Sequence, residues 1–376
     1  MYPLEGLKVI ELARVLAGPW IGQTLADLGA EVIKVESPEG DDTRNWGPNF
    51  IKKGTDNSAA YFHSANRGKR GITVDFNDPV GLTYLKELIA SSDVLIENFK
   101  VGGLQKFGLD YCALRPRNPR LIYCSVTGFG QDGPRAQKAG YDFMIQGMTG
   151  IMDITGEPDG MPQKVGVAFA DVFTGLYGVI GIQAALAQRE RTGLGQQVDM
   201  ALFDCMLAAQ ANQNLNYLTT GESPKRMGNA HPSIVPYQVF PVSDGHIVIA
   251  CGNNRQFKNL AQALGRNDWI EDPIFADNMT RISNRTEVIS QITKELSRFA
   301  KSEALVLLEV AGVPSGPINT VAEALEDPQT SHREMRIEPE GIPGVRTPIK
   351  FSASNLQLKR AAPGLGEHNE SSSLEN

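Results

Sequence analysis

The sequence predicts an α/β protein, with a large Rossmann-like domain on a parallel sheet and a smaller α+β domain after it. Short apolar runs of strand length alternate with helical segments through the first half of the chain, the pattern of an open parallel sheet. Two strands bridged by one helix at the start imply a right-handed parallel crossover. The chain then changes character near Gly221-Glu222-Ser223-Pro224, where a polar turn precedes a strand pair and charged helices.

In chain order, Leu7 to Leu12 is the first strand. Gly18-Pro19 opens a helix that runs through Leu28, because proline suits a first helical position. Gly29 ends that helix, and Glu31 to Glu36 forms the second strand. Ile72-Thr73-Val74, Val94-Leu95-Ile96 and Leu121 to Val126 are further strands, with a helix from Asp78 to Ala90 opened by Asp78-Pro79. A GxGxxG fingerprint is missing after the first strand. Ala13 to Pro19 stands in its place, which argues against a dinucleotide cofactor. A long helix from Thr174 to Arg189, a turn at Thr192 to Gly195, a strand Gln197 to Met200 and a helix from Ala201 complete the large domain. Tyr237 to Phe240 and His246 to Ala250 form a strand pair around Ser243-Asp244-Gly245, and helices follow to about Leu325. After Val345 to Pro348 a last strand-like piece is expected to rejoin the large domain. The expected boundaries are therefore 1–220, 221–328 and 329–376.

A length of 376 residues with 41% hydrophobic side chains supplies a sizeable core. The net charge of −7 argues against nucleic acid as a partner, since a phosphate backbone needs a basic surface. Four separated cysteines and five scattered histidines form no CxxC or HExxH spacing, so a cytoplasmic protein with reduced thiols and no metal is expected. The N-terminus lacks the charged start and apolar core of a signal peptide. The most apolar stretch, Val172 to Ala187, is broken by glycines and polar residues, so no membrane association is expected.

Asp171 is the central candidate. At the start of a long apolar helix it reads either as a cap or as a carboxylate kept ionised by the helix N-terminus, able to attack an acyl carbonyl. Asn66-Arg67-Gly68-Lys69-Arg70 puts three cations in four residues, a site for a phosphate-rich ligand or a solvated basic turn. Glu97-Asn98-Phe99, followed by Lys100 and Lys106, and the glycine pairs at 102–103, 128–130 and 133 fall at the carboxyl ends of predicted strands. That edge binds ligands in open α/β sheets.

Taken in order, Arg14 to Pro19, Gly29 to Glu36, Asn66 to Arg70, Glu97 to Phe99, Asp171, Arg191 to Gln196, Gly316 to Asn319 and Leu365 to His368 resemble the class III coenzyme A transferases. Gly140-Tyr141-Asp142 and His231 to Gln238 are most similar to the branch acting on succinyl-CoA and glutarate. The resemblance implies an interlocked homodimer. It also implies acyl-CoA and carboxylic acid substrates, no tightly bound cofactor, and Asp171 as a nucleophile passing through an aspartyl-CoA thioester. It places Arg14, Val15, Leu16, Ala17, Asn98, Phe99 and Lys106 on coenzyme A and the acyl group; Asn66, Arg67, Lys69, Arg70, Arg135 and Lys138 are further candidates for coenzyme A. Tyr141, Asp142 and His231 are expected at the acyl group. Arg44, Arg67 and Arg135 are all candidates for a distal carboxylate.

Two departures narrow the reading. Formyl-CoA transferase has glutamine where this chain has Leu16, which disfavours a small polar acyl group. It also has a glycine-rich loop where this chain has Gly228 to Pro232. An α-methylacyl-CoA racemase is the first rival, but its second acid/base, a histidine, is replaced by Tyr141, whose ordinary pKa of about 10 suits proton transfer poorly. A non-catalytic coenzyme A-binding subunit, the second rival, has no need of Asp171.

Overall fold

The computed structural model describes residues 1–369. Six strands form one parallel sheet: β1 (Lys8–Glu11), β2 (Glu31–Glu36), β3 (Arg70–Thr73), β4 (Val94–Glu97), β5 (Ile122–Thr127) and β6 (Gln197–Ala201). Their spatial order is 3-2-1-4-5-6, that of dinucleotide-binding sheets. The order reverses between β1 and β4, so a crevice is expected at the carboxyl ends of those two strands. Val94 to Glu97 are buried throughout, as expected of a strand covered on both faces.

Helix α1 (Ala17–Asp27) crosses from β1 to β2 as expected. Helix α2 (Ala60–Asn66), preceded by the hairpin Phe50–Lys53 with Asp56–Ala59, was not legible in the sequence. Helix α3 (Pro79–Ala90) starts where Asp78 caps it, accepting from the Val80 and Gly81 N–H groups at 3.2 and 3.0 Å. Helix α4 (Asp142–Met148) follows β5, and α5 (Phe169–Thr192) then packs on α1. The close approach of α5 to α1 depends on small residues. A Cβ on Gly175 would come within 2.9 Å of Trp20, and one on Gly178 would collide with Ile21. Helix α6 (Leu202–Ala209) closes this face.

The predicted helix from Thr174 is thus five residues longer at its start, and Asp171 lies inside it. By length and composition α5 could cross a membrane; the glycines read as interruptions are its contact points with α1.

The chain divides into two compact units. The larger comprises 1–152, 164–223 and 328 onwards, the smaller 153–163 and 224–327. Residues 153–163, expected with the large domain, belong to the smaller unit because Arg226 pairs with Asp153 at 3.0 Å and the Gly228 N–H donates to the Gly156 carbonyl. That unit holds β7 (Tyr237–Val242), β8 (Gly245–Ala250) and β9 (Ser315–Pro317) in an antiparallel sheet. Its helices pack around stacked Phe257, Trp269 and Phe275.

The last segment does return to the large unit, though not as a strand. His368 exchanges hydrogen bonds with Gly71 on β3, its N–H donating to the carbonyl and its Nδ1 accepting the Gly71 N–H. Residues 370–376 of the expected third segment lie outside the described residues.

Candidate active site

The crevice predicted by the strand order is present. A cleft of about 510 Å³ is lined by the loop after β1 (Arg14, Val15, Leu16, Ala17), the loop after β4 (Asn98, Phe99, Lys100), and Lys106, Lys138, Tyr141 and Asp171. Asn98 ties the two loops together. Its Oδ1 accepts the Arg14 N–H at 2.9 Å, and its Nδ2 donates to the Arg14 carbonyl at 2.7 Å. Arg14 also lies over the Phe99 ring at 5.9 Å and pairs with Asp42 at 3.2 Å. The start of α1, with no side chain capping it, forms part of the same wall. Four cations, Arg14, Lys100, Lys106 and Lys138, line this cleft against two acids, Asp42 and Asp171, in a chain of net charge −7. An anionic ligand is therefore favoured here.

Asp171 sits in the first turn of α5 and is not its cap. The cap position is Ala168, which offers no side-chain acceptor. Asp142 takes that task from α4: its Oδ1 accepts the Ala170 N–H at 2.8 Å, while Oδ2 accepts from Gln146 at 2.8 Å. Asp142, expected against the acyl group, thus holds the start of α5 beside Asp171. The Asp171 carboxylate itself has no hydrogen bond or ion pair among the described residues. Burial first, then the Asp142 charge, push its carboxyl up to about 7. The helix N-terminus favours the ionised form, and burial together with the Asp142 charge opposes it.

Tyr61 carried no sequence signal and lies within electrostatic reach of Asp171, although it is not among the residues lining the cleft. Burial, followed by the charges of Asp171, Asp142 and Asp41, pushes the Tyr61 hydroxyl up to about 12. Tyr61 lies on α2 against Trp46, with ring centroids 5.3 Å apart. It keeps its proton across the physiological range and stays a hydrogen-bond donor.

The basic cluster is corrected. Arg67 is buried in a two-point pair with Asp27, at 2.6 and 3.1 Å. Lys69 is fully buried and donates to Glu11, Asn66 and the Pro19 carbonyl at 2.8–2.9 Å. The Asn66 Nδ2 donates to the Phe62 carbonyl, and Arg70 pairs with Glu31 at 3.1 Å. None of the four lines the cleft: the three cations are paired with carboxylates that the sequence places far away, and Asn66 is held by the Phe62 carbonyl and Lys69. Arg44 is likewise engaged by Glu36, at 2.7 and 2.8 Å, and cannot double as a carboxylate receptor. Arg135 is exposed, 6.0 Å from the Phe129 ring, and does not line the cleft. His231 lies in the smaller unit, where its Nδ1 accepts the Ser233 N–H and its ring meets Tyr237.

Comparison with known proteins agrees with the geometry. The family model of CoA-transferase family III matches residues 4–369. A succinate–glutarate CoA-transferase of Agrobacterium fabrum is 53% identical over 374 residues, covering 97% of this chain and 94% of that one. A human succinyl-CoA:glutarate CoA-transferase is 41% identical over 97% of this chain and 84% of its own. The crystal structure of a CAIB/BAIF family protein from Brucella suis superposes with a TM-score of 0.90 at 59% identity, over 98% of each chain.

Proposed function

The chain belongs to CoA-transferase family III and is an enzyme that transfers coenzyme A; from that premise we propose that it moves coenzyme A from succinyl-CoA to glutarate through a covalent intermediate on Asp171. The observation that carries this reading is a carboxylate without a hydrogen-bond donor among the described residues, set in a cation-lined cleft at the sheet's switch point. The names of the relatives supply the two acids.

In the proposed sequence an Asp171 oxygen attacks the succinyl carbonyl carbon and the C–S bond breaks. This gives a succinyl-aspartyl anhydride and the thiolate of coenzyme A. The thiolate attacks the Asp171 carboxyl carbon, succinate leaves with the bridging oxygen, and aspartyl-CoA remains. Glutarate then attacks that thioester and expels the thiolate. The thiolate attacks the glutaryl carbonyl carbon, releasing glutaryl-CoA and restoring the Asp171 carboxylate. Each step exchanges one acyl linkage for another, so positioning and charge stabilisation supply the catalysis. Arg14, Lys100, Lys106 and Lys138 are assigned to the phosphates.

Leu16, nearly buried in the cleft wall, favours a chain of methylenes over a compact polar acyl group. Exposed Leu176, Tyr177 and Ile180 along α5 are a surface that a second copy would cover, which supports a homodimer. Four free cysteines support the cytoplasm.

The test is chromatography of succinyl-CoA incubated with glutarate or with oxalate. Glutaryl-CoA is expected to form with a kcat/KM at least about tenfold above that for oxalate. Preference for oxalate would overturn the assignment of the acid. Absence of any acyl exchange would overturn the transferase reaction for this chain.

A further inference from the structure

The loop joining β1 to α1 holds a backbone conformation that its residue disfavours. Val15 has a φ of 70°, in the left-handed region where a β-branched side chain is an outlier. Among the described non-glycine residues with positive φ, it alone lines the cleft of Asp171. Such a conformation persists only where the surroundings over-determine it.

Here the surroundings are buried charges. Asp41 is fully buried and accepts the Val15 N–H on its two carboxylate oxygens, at 3.2 and 3.3 Å. It also accepts the Thr43 N–H and hydroxyl, at 3.0 and 2.8 Å, and the Lys34 ammonium at 3.1 Å. Lys34, equally buried, donates to the Ala13 carbonyl at 2.9 Å. The peptide groups flanking Arg14 and Val15 are thus pinned from below, while Asn98 brackets Arg14 from the neighbouring strand. Burying charges this deeply is costly, and apolar side chains of equal volume would fill the space at lower cost. They could not receive the Val15 N–H or supply a donor to Ala13.

We propose that Asp41 is a positioning residue of the coenzyme A site: with Lys34 beneath it, Asp41 holds Val15 in its left-handed conformation, so the loop wall beside Asp171 is formed before the ligand arrives. This rests on the assignment of the cleft to coenzyme A. Every group facing the carboxylate is a donor, so Asp41→Asn must turn an amide N–H₂ toward some of them and weakens the clamp. Glycine adopts positive φ without help, so Val15→Gly makes the clamp unnecessary.

The experiment is calorimetric titration of the full-length protein with free coenzyme A, for the wild type, Asp41→Asn, Val15→Gly and the double variant. Asp41→Asn is expected to weaken binding about tenfold when Val15 is present, and no more than about twofold in the Val15→Gly background. A merely structural Asp41 gives the same factor in both backgrounds; that result, or no loss in either, overturns the proposal. Free coenzyme A as the probe separates the two readings. A wild type that fails to bind it overturns the assignment of the cleft as well, whereas normal wild-type binding with equal losses sinks only the role of Asp41. Should Asp41→Asn fail to fold, the melting temperature of Val15→Gly alone decides. It is expected to hold or rise, because the left-handed strain is relieved, and a fall of several degrees overturns the clamp.

Discussion

Asp171 answers to two opposing demands. As a nucleophile it must be ionised, yet burial and the Asp142 charge hold its carboxyl near 7. The rate of acylation, measured as kcat/KM for succinyl-CoA, is therefore expected to rise with pH and level off above about 7. A profile flat from pH 5 to 8 would contradict this. Asp142→Asn removes the second cause of the shift and moves that limb to lower pH. The same shift has a sign for stability. Because the folded-state value lies above the ordinary 3.8, the folded protein holds the Asp171 proton more tightly than the unfolded chain does. Its contribution is complete below about pH 4 and is lost as pH rises through 7. Asp171→Asn should thus be more stable than the wild type at pH 8, by roughly 4 kcal/mol, and equal to it near pH 4. Urea denaturation at both pH values checks this. The sequence showed which aspartate mattered but misplaced it by a few residues, because the acceptor that caps α5 comes from Asp142, on another helix.

At the scale of elements, the loops after β1 and β4 were legible as ligand-binding edges because alternation of strand and helix fixes which ends carry loops. Asn66 to Arg70 was not legible in the same way. Three adjacent cations look alike in sequence whether solvated or paired, and their partners Asp27 and Glu11 lie on other elements. Arg67→Ala strands the buried Asp27 and should cost roughly 3–5 kcal/mol of stability while leaving coenzyme A affinity within about twofold. Lys106→Ala should do the opposite: little change in melting temperature, a weakening of coenzyme A binding by about fivefold, and a smaller loss at high salt. Calorimetry and thermal melts on both variants separate strut from ligand contact. Tyr61 carries no sequence signal for a related reason, since nothing in a short helix after a hairpin marks it as lying within reach of the Asp171 charge.

For the whole molecule, the parallel sheet in the order 3-2-1-4-5-6 explains how a chain without a GxGxxG fingerprint still builds a ligand crevice at its switch point. The start of α5 and the two loops converge there from stretches of chain more than sixty residues apart. The exposed apolar face of α5 predicts a homodimer, and light scattering that gave a monomer at micromolar concentration would contradict that. The central claim, however, is covalent chemistry on one side chain. It is tested most directly by mass spectrometry of the protein after incubation with succinyl-CoA and hydroxylamine. A mass change confined to the peptide bearing Asp171, absent from Asp171→Ala, is the predicted result. An unmodified Asp171 under conditions where coenzyme A transfer proceeds would contradict the account.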